Sequence, residues 1–183
     1  MFGEHFDDFH ALVTFIVDGA DDRTSAILHV SYIEKYLSRA IGYAMPGLTT
    51  KLREKLFGPD GALGPLAAKN DIARALNIIA ETDHHNLKLL ASIRNKFAHN
   101  IRISSFDDPE ISKRAMQLRC ADPRIDGKIA PVTLKTDPDW QMRTWEELNA
   151  KQRFEHVAAS FNMGLHNYVN RRVNPQPKSS PGK

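Results

Sequence analysis

Residues 21–47 read DDRTSAILHVSYIEKYLSRAIGYAMPG, and this stretch decides the fold class. Ala26, Val30, Ile33, Leu37 and Ile41 recur at three- and four-residue steps, which puts them on one face of a helix. Tyr32, Tyr36 and Tyr43 form a second row that widens the apolar arc. A helix apolar over so wide an arc belongs at the centre of a bundle. Asp21 and Asp22 supply an N-cap and a first-turn acid. Pro46-Gly47 end the run.

The helical period continues on both sides. Phe6, Phe9, Val13 and Ile16 predict a helix that Gly19 breaks. Thr49 or Thr50 caps a short helix through Phe57, and GPDGALGP (58–65) is a compact turn. A helix over 67–79 aligns Ile72, Leu76 and Ile79. Thr82 or Asp83 caps the next, which runs to about Asn100 with Leu87, Leu90, Phe97 and Ile101 on its apolar side. Asp107 or Asp108 precedes Pro109, which suits a first helical position. The last helix covers about 144–172, periodic at Phe154, Val157, Phe161, Leu165 and Tyr168.

Residues 119–143 change character, with Pro123, Pro131 and Pro138. KIAPVTLKT (128–136) alternates like a short hairpin arm, which Pro131 confines to an edge. The expected architecture is an all-α, single-domain bundle of about six or seven helices over residues 1–172. It carries a short irregular or β-hairpin excursion at 119–143. A basic, Pro/Ser-rich tail (173–183) is expected to be disordered.

Composition excludes several classes. The 183 residues are 42% apolar and 26% charged, ordinary for a soluble globular chain and unlike a collagenous or disordered one. No apolar run reaches the ~18–20 residues of a membrane span. The opening MFGEHFDDF has neither the basic start nor the apolar core of a secretory signal. The single cysteine, Cys120, rules out an internal disulfide, and a reducing cytoplasm is the expected compartment. A net charge of +3 hints at nucleic acid, but the distribution opposes it. Residues 1–22 carry six acids and no Lys or Arg, and no cluster of bases marks one helix as a DNA reader.

Ile93-Arg94-Asn95-Lys96-Phe97-Ala98-His99 is where chemistry is concentrated. Arg94 lies four residues after Leu90 and three before Phe97, so it points along the apolar stripe. A guanidinium there needs an acid, carbonyls or an anion. His99 sits at the helix end, where the dipole favours a cation. Arg94 and His99 lie about 140° apart around an ideal helix, whereas Asn95 and His99 share a face. One helix alone therefore does not focus Arg94 and His99 on one phosphate; a frayed end or a second copy would.

These residues resemble known families. The Arg-x4-His element late in a long helix resembles the HEPN superfamily. A longer ordered set resembles the mannitol operon repressor family: DDRTSAILHVSYIEKYL, FGPDGALGPLAAKNDIARALNII, LKLLASIRNKFAHN, SFDDPEI and AKQRFEHVAASF, spanning about 21–161. Residues 119–143 and the basic tail depart from that pattern. The second resemblance implies an all-α regulatory protein that acts through protein partners, not by reading an operator. The first implies, as an alternative, a metal-independent endoribonuclease of a toxin or defence system, with a dimer cleft. In it His99 would serve as general acid or base, Arg94 would stabilise charge on the phosphate and Asn95 would position His99 or substrate. The contrasting structural reading has Arg94 anchored on a buried acid.

Other signals have plainer explanations. His84-His85 with Glu81 and Asp83 is a helix first turn before it is a zinc site. Asp107, Asp108 and Glu110 form a cap around Pro109, and GALG (61–64) lacks the rest of a phosphate loop. Trp140 and Trp145 flank the last helix and can pack the excursion down. A small-molecule or nucleotide pocket between the 82–100 helix and the Gly-rich turn is motivated by Arg94 alone. No cofactor and no metal are expected. The expected partners are a second copy of the chain and another protein, with RNA under the ribonuclease alternative, and neither sequence-specific DNA nor a membrane.

Overall fold

The computed structural model describes residues 19–120, the backbone of 128–129, and residues 143–173. The 6–16 helix, most of 119–143 with Trp140, and residues 174–183 lie outside the described residues. Six helices form among them: α1 (Asp22–Ala44), α2 (Thr50–Phe57), α3 (Leu66–Ala75), α4 (Glu81–His99), α5 (Pro109–Ala115) and α6 (Ala150–Val173). The fold is all-α, with one minimal ladder in which β1 (Lys128–Ile129) pairs antiparallel with β2 (Arg143–Thr144).

Local chemistry starts the helices. The Asp21 carboxylate accepts from Thr24 N at 2.7 Å, Thr49 Oγ1 from Leu52 N at 3.3 Å, and Asp108 Oδ1 from Glu110 N at 2.9 Å. The α4 start differs from expectation. Its cap position is Ala80, and Asp83 reaches back from the third helical position to accept from Ala80 N at 3.1 Å. The α6 start also moves, from about 144 to 150. Asn149 and Gln152 there form a reciprocal cap, Gln152 N to Asn149 Oδ1 at 2.9 Å and Asn149 N to Gln152 Oε1 at 3.1 Å.

The α3 helix stops at Ala75, short of the expected 79, because Asn77 adopts a left-handed conformation (φ 54°). Ile78 N then donates to Ala73 O and Asn77 N to Arg74 O, closing the helix end. Leu76, expected on the apolar face, is therefore 38% exposed. Ile101 fails the same way: α4 ends at His99 and Ile101 is 88% exposed.

The core lies where α1 packs along α6 and against α4 and α3. Ile33, Tyr36, Leu37 and Ile41 of α1 are fully buried, as are Leu87, Leu90, Ile93 and Phe97 of α4. The Phe97, Phe106 and Phe154 rings form a chain, with centroids 5.1 and 5.0 Å apart, that ties the end of α4 to α6. Tyr32 and Tyr36 stack within α1 (4.6 Å), while Tyr43 is 45% exposed. No side chain of α2 is fully buried, though Leu56 and Phe57 pack part-buried against the core.

The Gly-rich turn folds back between α2 and α3 through Leu63 N to Leu56 O (2.8 Å), which seats Leu63 in the core. A Cβ at Gly61 would collide with the Leu56 carbonyl oxygen, so this turn requires glycine there.

Candidate functional site: the cleft between two helices

The α3 and α4 helices run antiparallel, with their register fixed near the connecting turn. Arg74 Nε bonds Glu81 (3.1 Å), His84 Nε2 lies 2.7 Å from Asp71, and Asn70 Nδ2 donates to the His84 carbonyl at 2.9 Å. With that register the N-terminus of α3 points along α4 toward Asn95 and His99. There the helices part around an open cavity of about 670 Å³.

One wall is the outer face of α4, with Lys88, Ser92, Asn95, Lys96, His99 and Asn100. The other is the first two turns of α3, with Leu66, Ala67 and Asn70, and no acidic residue lines the cavity. Neighbours hold the α4 wall in place. Lys96 Nζ bonds Glu110 of α5 at 2.7 Å and keeps that carboxyl below its usual pKa. Ser92 Oγ accepts from Arg114 Nε at 3.1 Å. The chain beyond His99 is pinned by Arg23, whose Nη2 donates to the carbonyls of Asn100 (3.2 Å), Ile101 (3.1 Å) and Ile103 (2.6 Å). One guanidinium from the start of α1 thus binds three carbonyls of the segment that follows α4.

The structure separates the three residues of the Arg-x4-His element. Asn95 and His99 meet on the cavity wall; Arg94 does not line it. On the helical wheel Arg94 falls within about 40° of Leu87 and Leu90, toward the core. It is half-buried, and its Nε is buried without a hydrogen-bond partner among the described residues. The internal carboxylate expected to anchor it is absent among those residues. Acids on the surrounding helices are committed elsewhere: Glu34 to Lys69 (2.7 Å), Asp22 to Lys151 (2.8 Å), and Glu110 to Lys96 and Arg114.

Asn70 is the residue the sequence reading missed. It is 1% exposed, its amide nitrogen is used by the His84 carbonyl, and its Oδ1 is buried with no partner. Leaving such an acceptor unsatisfied costs about 1–3 kcal/mol. An asparagine inside a short amphipathic helix is a weak propensity signal, and it was the available clue. The histidine pair is dispersed, because His85 Nε2 lies 3.5 Å from the Gln117 carbonyl while His84 pairs with Asp71. Among the described residues no three His, Cys, Asp or Glu side chains gather as metal ligands. Trp145 is covered by Arg153, whose guanidinium carbon lies 4.9 Å from its ring centre. No described helix is long and apolar enough to cross a membrane.

A bundle built on a long central helix, with a cationic cleft at one end, is the class that fold and site define. No family model matches the chain, and no curated protein matches it. Among solved structures it is similar to a chain in the X-ray structure of the MtlR–HPr complex from Escherichia coli. That match has a TM-score of 0.54 and 17% identity, and it covers 91% of this chain and 98% of that one. At that identity the likeness is one of fold: the chain has an MtlR-like, all-α fold.

Proposed function

We propose that this chain is a regulatory protein of the mannitol-operon-repressor type that acts by binding another protein, with HPr as the first partner to test. The observation that carries the reading is the near end-to-end fold likeness to a chain from a complex with HPr. The ordered motif set over 21–161 points the same way. Operator reading is disfavoured by charge. A recognition helix presents a run of bases to the major groove. Here the exposed helix α2 is eight residues long and interrupts Lys51, Arg53 and Lys55 with Glu54, and α6 separates Lys151 and Arg153 from Arg171 and Arg172.

The test is light scattering on gel filtration of the full chain mixed with HPr, beside mobility shifts on candidate operator DNA at near-physiological salt. A stoichiometric complex without a sequence-dependent shift supports the reading. An operator-specific shift with no HPr complex overturns it.

A second reading, the metal-independent endoribonuclease using Arg94, Asn95 and His99, is favoured by one observation: Arg94 has no carboxylate partner among the described residues. Its weakness is that Arg94 and His99 do not share a wall, so it needs a second chain to complete the site. It predicts RNA cleavage in the presence of chelator that His99→Ala abolishes. Intact RNA, or cleavage unchanged in that variant, eliminates it.

A further inference from the structure

We propose that the cleft between α3 and α4 binds a small phosphomonoester that also carries hydroxyl groups. The proposal goes beyond the protein-partner reading and stands on different residues. The first element is a pole for the anion. The α3 helix begins at Pro65, which offers no side-chain cap, so the first-turn amides of Leu66, Ala67 and Ala68 have no capping side chain. Uncapped amides at the positive end of a ten-residue helix favour an anion in front of them. On the facing wall stand Lys88 and His99, with Lys96 beside them already bonded to Glu110 of α5 at 2.7 Å; no acid lines the cavity itself. Asn95 adds an amide donor beside His99. A phosphomonoester, with three terminal oxygens and up to two charges, matches this number of convergent donors better than a carboxylate does.

The second element is independent of the helix terminus and calls for a donor on the ligand. Asn70 lies four residues from Leu66 and three from Ala67, on the face of α3 that lines the cavity. Because its Nδ2 is held by the His84 carbonyl, its orientation is fixed and Oδ1 is the unpartnered atom. A phosphate held at the anion pole, about one helical turn away, does not reach that oxygen. A hydroxyl on the same ligand would satisfy it. The two poles are separated by about one helical turn, about 6 Å, which is the reach from a phosphate to a hydroxyl a few carbons away. Leu66, Leu87 and Ala91 supply an apolar floor for the carbon skeleton between them, and the cavity of about 670 Å³ lies within the usual range for small-molecule sites.

The experiment is isothermal titration of the full chain with glucose 6-phosphate, adenosine 5′-monophosphate, inorganic phosphate, glucose and gluconate. The proposal expects saturable binding of the two phosphomonoesters, at least tenfold weaker binding of inorganic phosphate, and none of glucose. Lys88→Ala and His99→Ala should each weaken phosphomonoester binding several-fold. Asn70→Leu, with folding verified by its circular dichroism melt, should bring the phosphomonoesters down to the level of inorganic phosphate while leaving inorganic phosphate unchanged. If that variant does not fold, the tenfold preference over inorganic phosphate in the natural chain carries the test of the hydroxyl pole. The proposal is overturned by flat titrations with both phosphomonoesters, by gluconate binding as well as glucose 6-phosphate, or by affinities that Lys88→Ala and His99→Ala both leave intact. Tighter binding of a short single-stranded RNA than of any monophosphate would also overturn it, in favour of a nucleic-acid site.

Discussion

Two regions of this bundle hold polar side chains among apolar ones, and they handle charge in opposite ways. Along the seam between α1 and α6, His29, Asn162 and Glu155 are at most 7% exposed. Burial lowers the pKa of His29 to about 4. It raises that of Glu155 to about 7, against the opposing charge of Lys151 and with help from Asp22. Near pH 6 both groups are neutral, which is how a closely packed helix pair tolerates them. The cleft between α3 and α4 instead places Lys88, Asn95 and His99 beside open space, with no acid in its lining and Lys96 held from outside it by Glu110. The seam is built for cohesion. The cleft leaves polar side chains facing open space.

The largest effect should come from the seam. Phe154 is fully buried, 5.0 Å from Phe106 and 6.2 Å from the His29 ring. Phe154→Ala should lower stability by about 3–5 kcal/mol in urea unfolding. A loss below about 1 kcal/mol would mean the seam is not the core.

The two buried titrations should then nearly cancel. His29 is 6.5 unfolded and about 4 folded, so its contribution is complete above pH 6.5 and is lost as pH falls toward 4. Glu155 is 4.5 unfolded and about 7 folded, so its contribution is complete below pH 4.5 and is lost as pH rises toward 7. Between pH 4.5 and 6.5 the unfolded chain gains the histidine proton while the folded chain keeps the glutamate proton, leaving these two with no net slope. Glu155→Gln removes one side of that balance. From pH 4 to 6.5 its stability should climb by about 3 kcal/mol more than that of the natural chain. Equal slopes in the two proteins would contradict the burial argument.

A smaller effect is expected at the join between the regions. Arg23→Met should cost about 1.5–3 kcal/mol and speed amide exchange at 101–103, because it frees three carbonyls after α4. Unchanged exchange there would show that the cleft wall holds itself. The cleft cations should matter least to folding. Lys88→Ala should shift stability by no more than about 0.5 kcal/mol, whatever it does to ligands.

The elements with local signals were legible in the sequence. Asp21, Thr49 and Asp108-Pro109 start helices where their side chains reach the first free amides, and the α1 stripe is buried as its period requires. The misread points depend on partners distant in sequence or on unusual backbone. Asn77 ends α3 in a conformation that glycine usually signals, and Ile101 is displaced where a guanidinium 78 positions away donates to its carbonyl. The ladder begins at Lys128, within the expected hairpin arm, but its partner strand Arg143–Thr144 lies beyond 128–136 and is not encoded by the alternation there. In the site, the shared face of Asn95 and His99 followed from four-residue spacing. The opposing wall with Asn70 did not, because the register of α3 on α4 is set by side-chain pairs such as Asp71–His84. The internal acid expected for Arg94 was a statement about tertiary partners, which a helical period cannot supply.

The central claim, a regulator that works by binding a protein, is most directly tested by isothermal titration of the purified full chain with HPr at near-physiological salt. The account predicts a saturable isotherm at fixed stoichiometry, retained when Arg94 and His99 are both replaced by alanine. No heat and no complex across the accessible concentration range would contradict it.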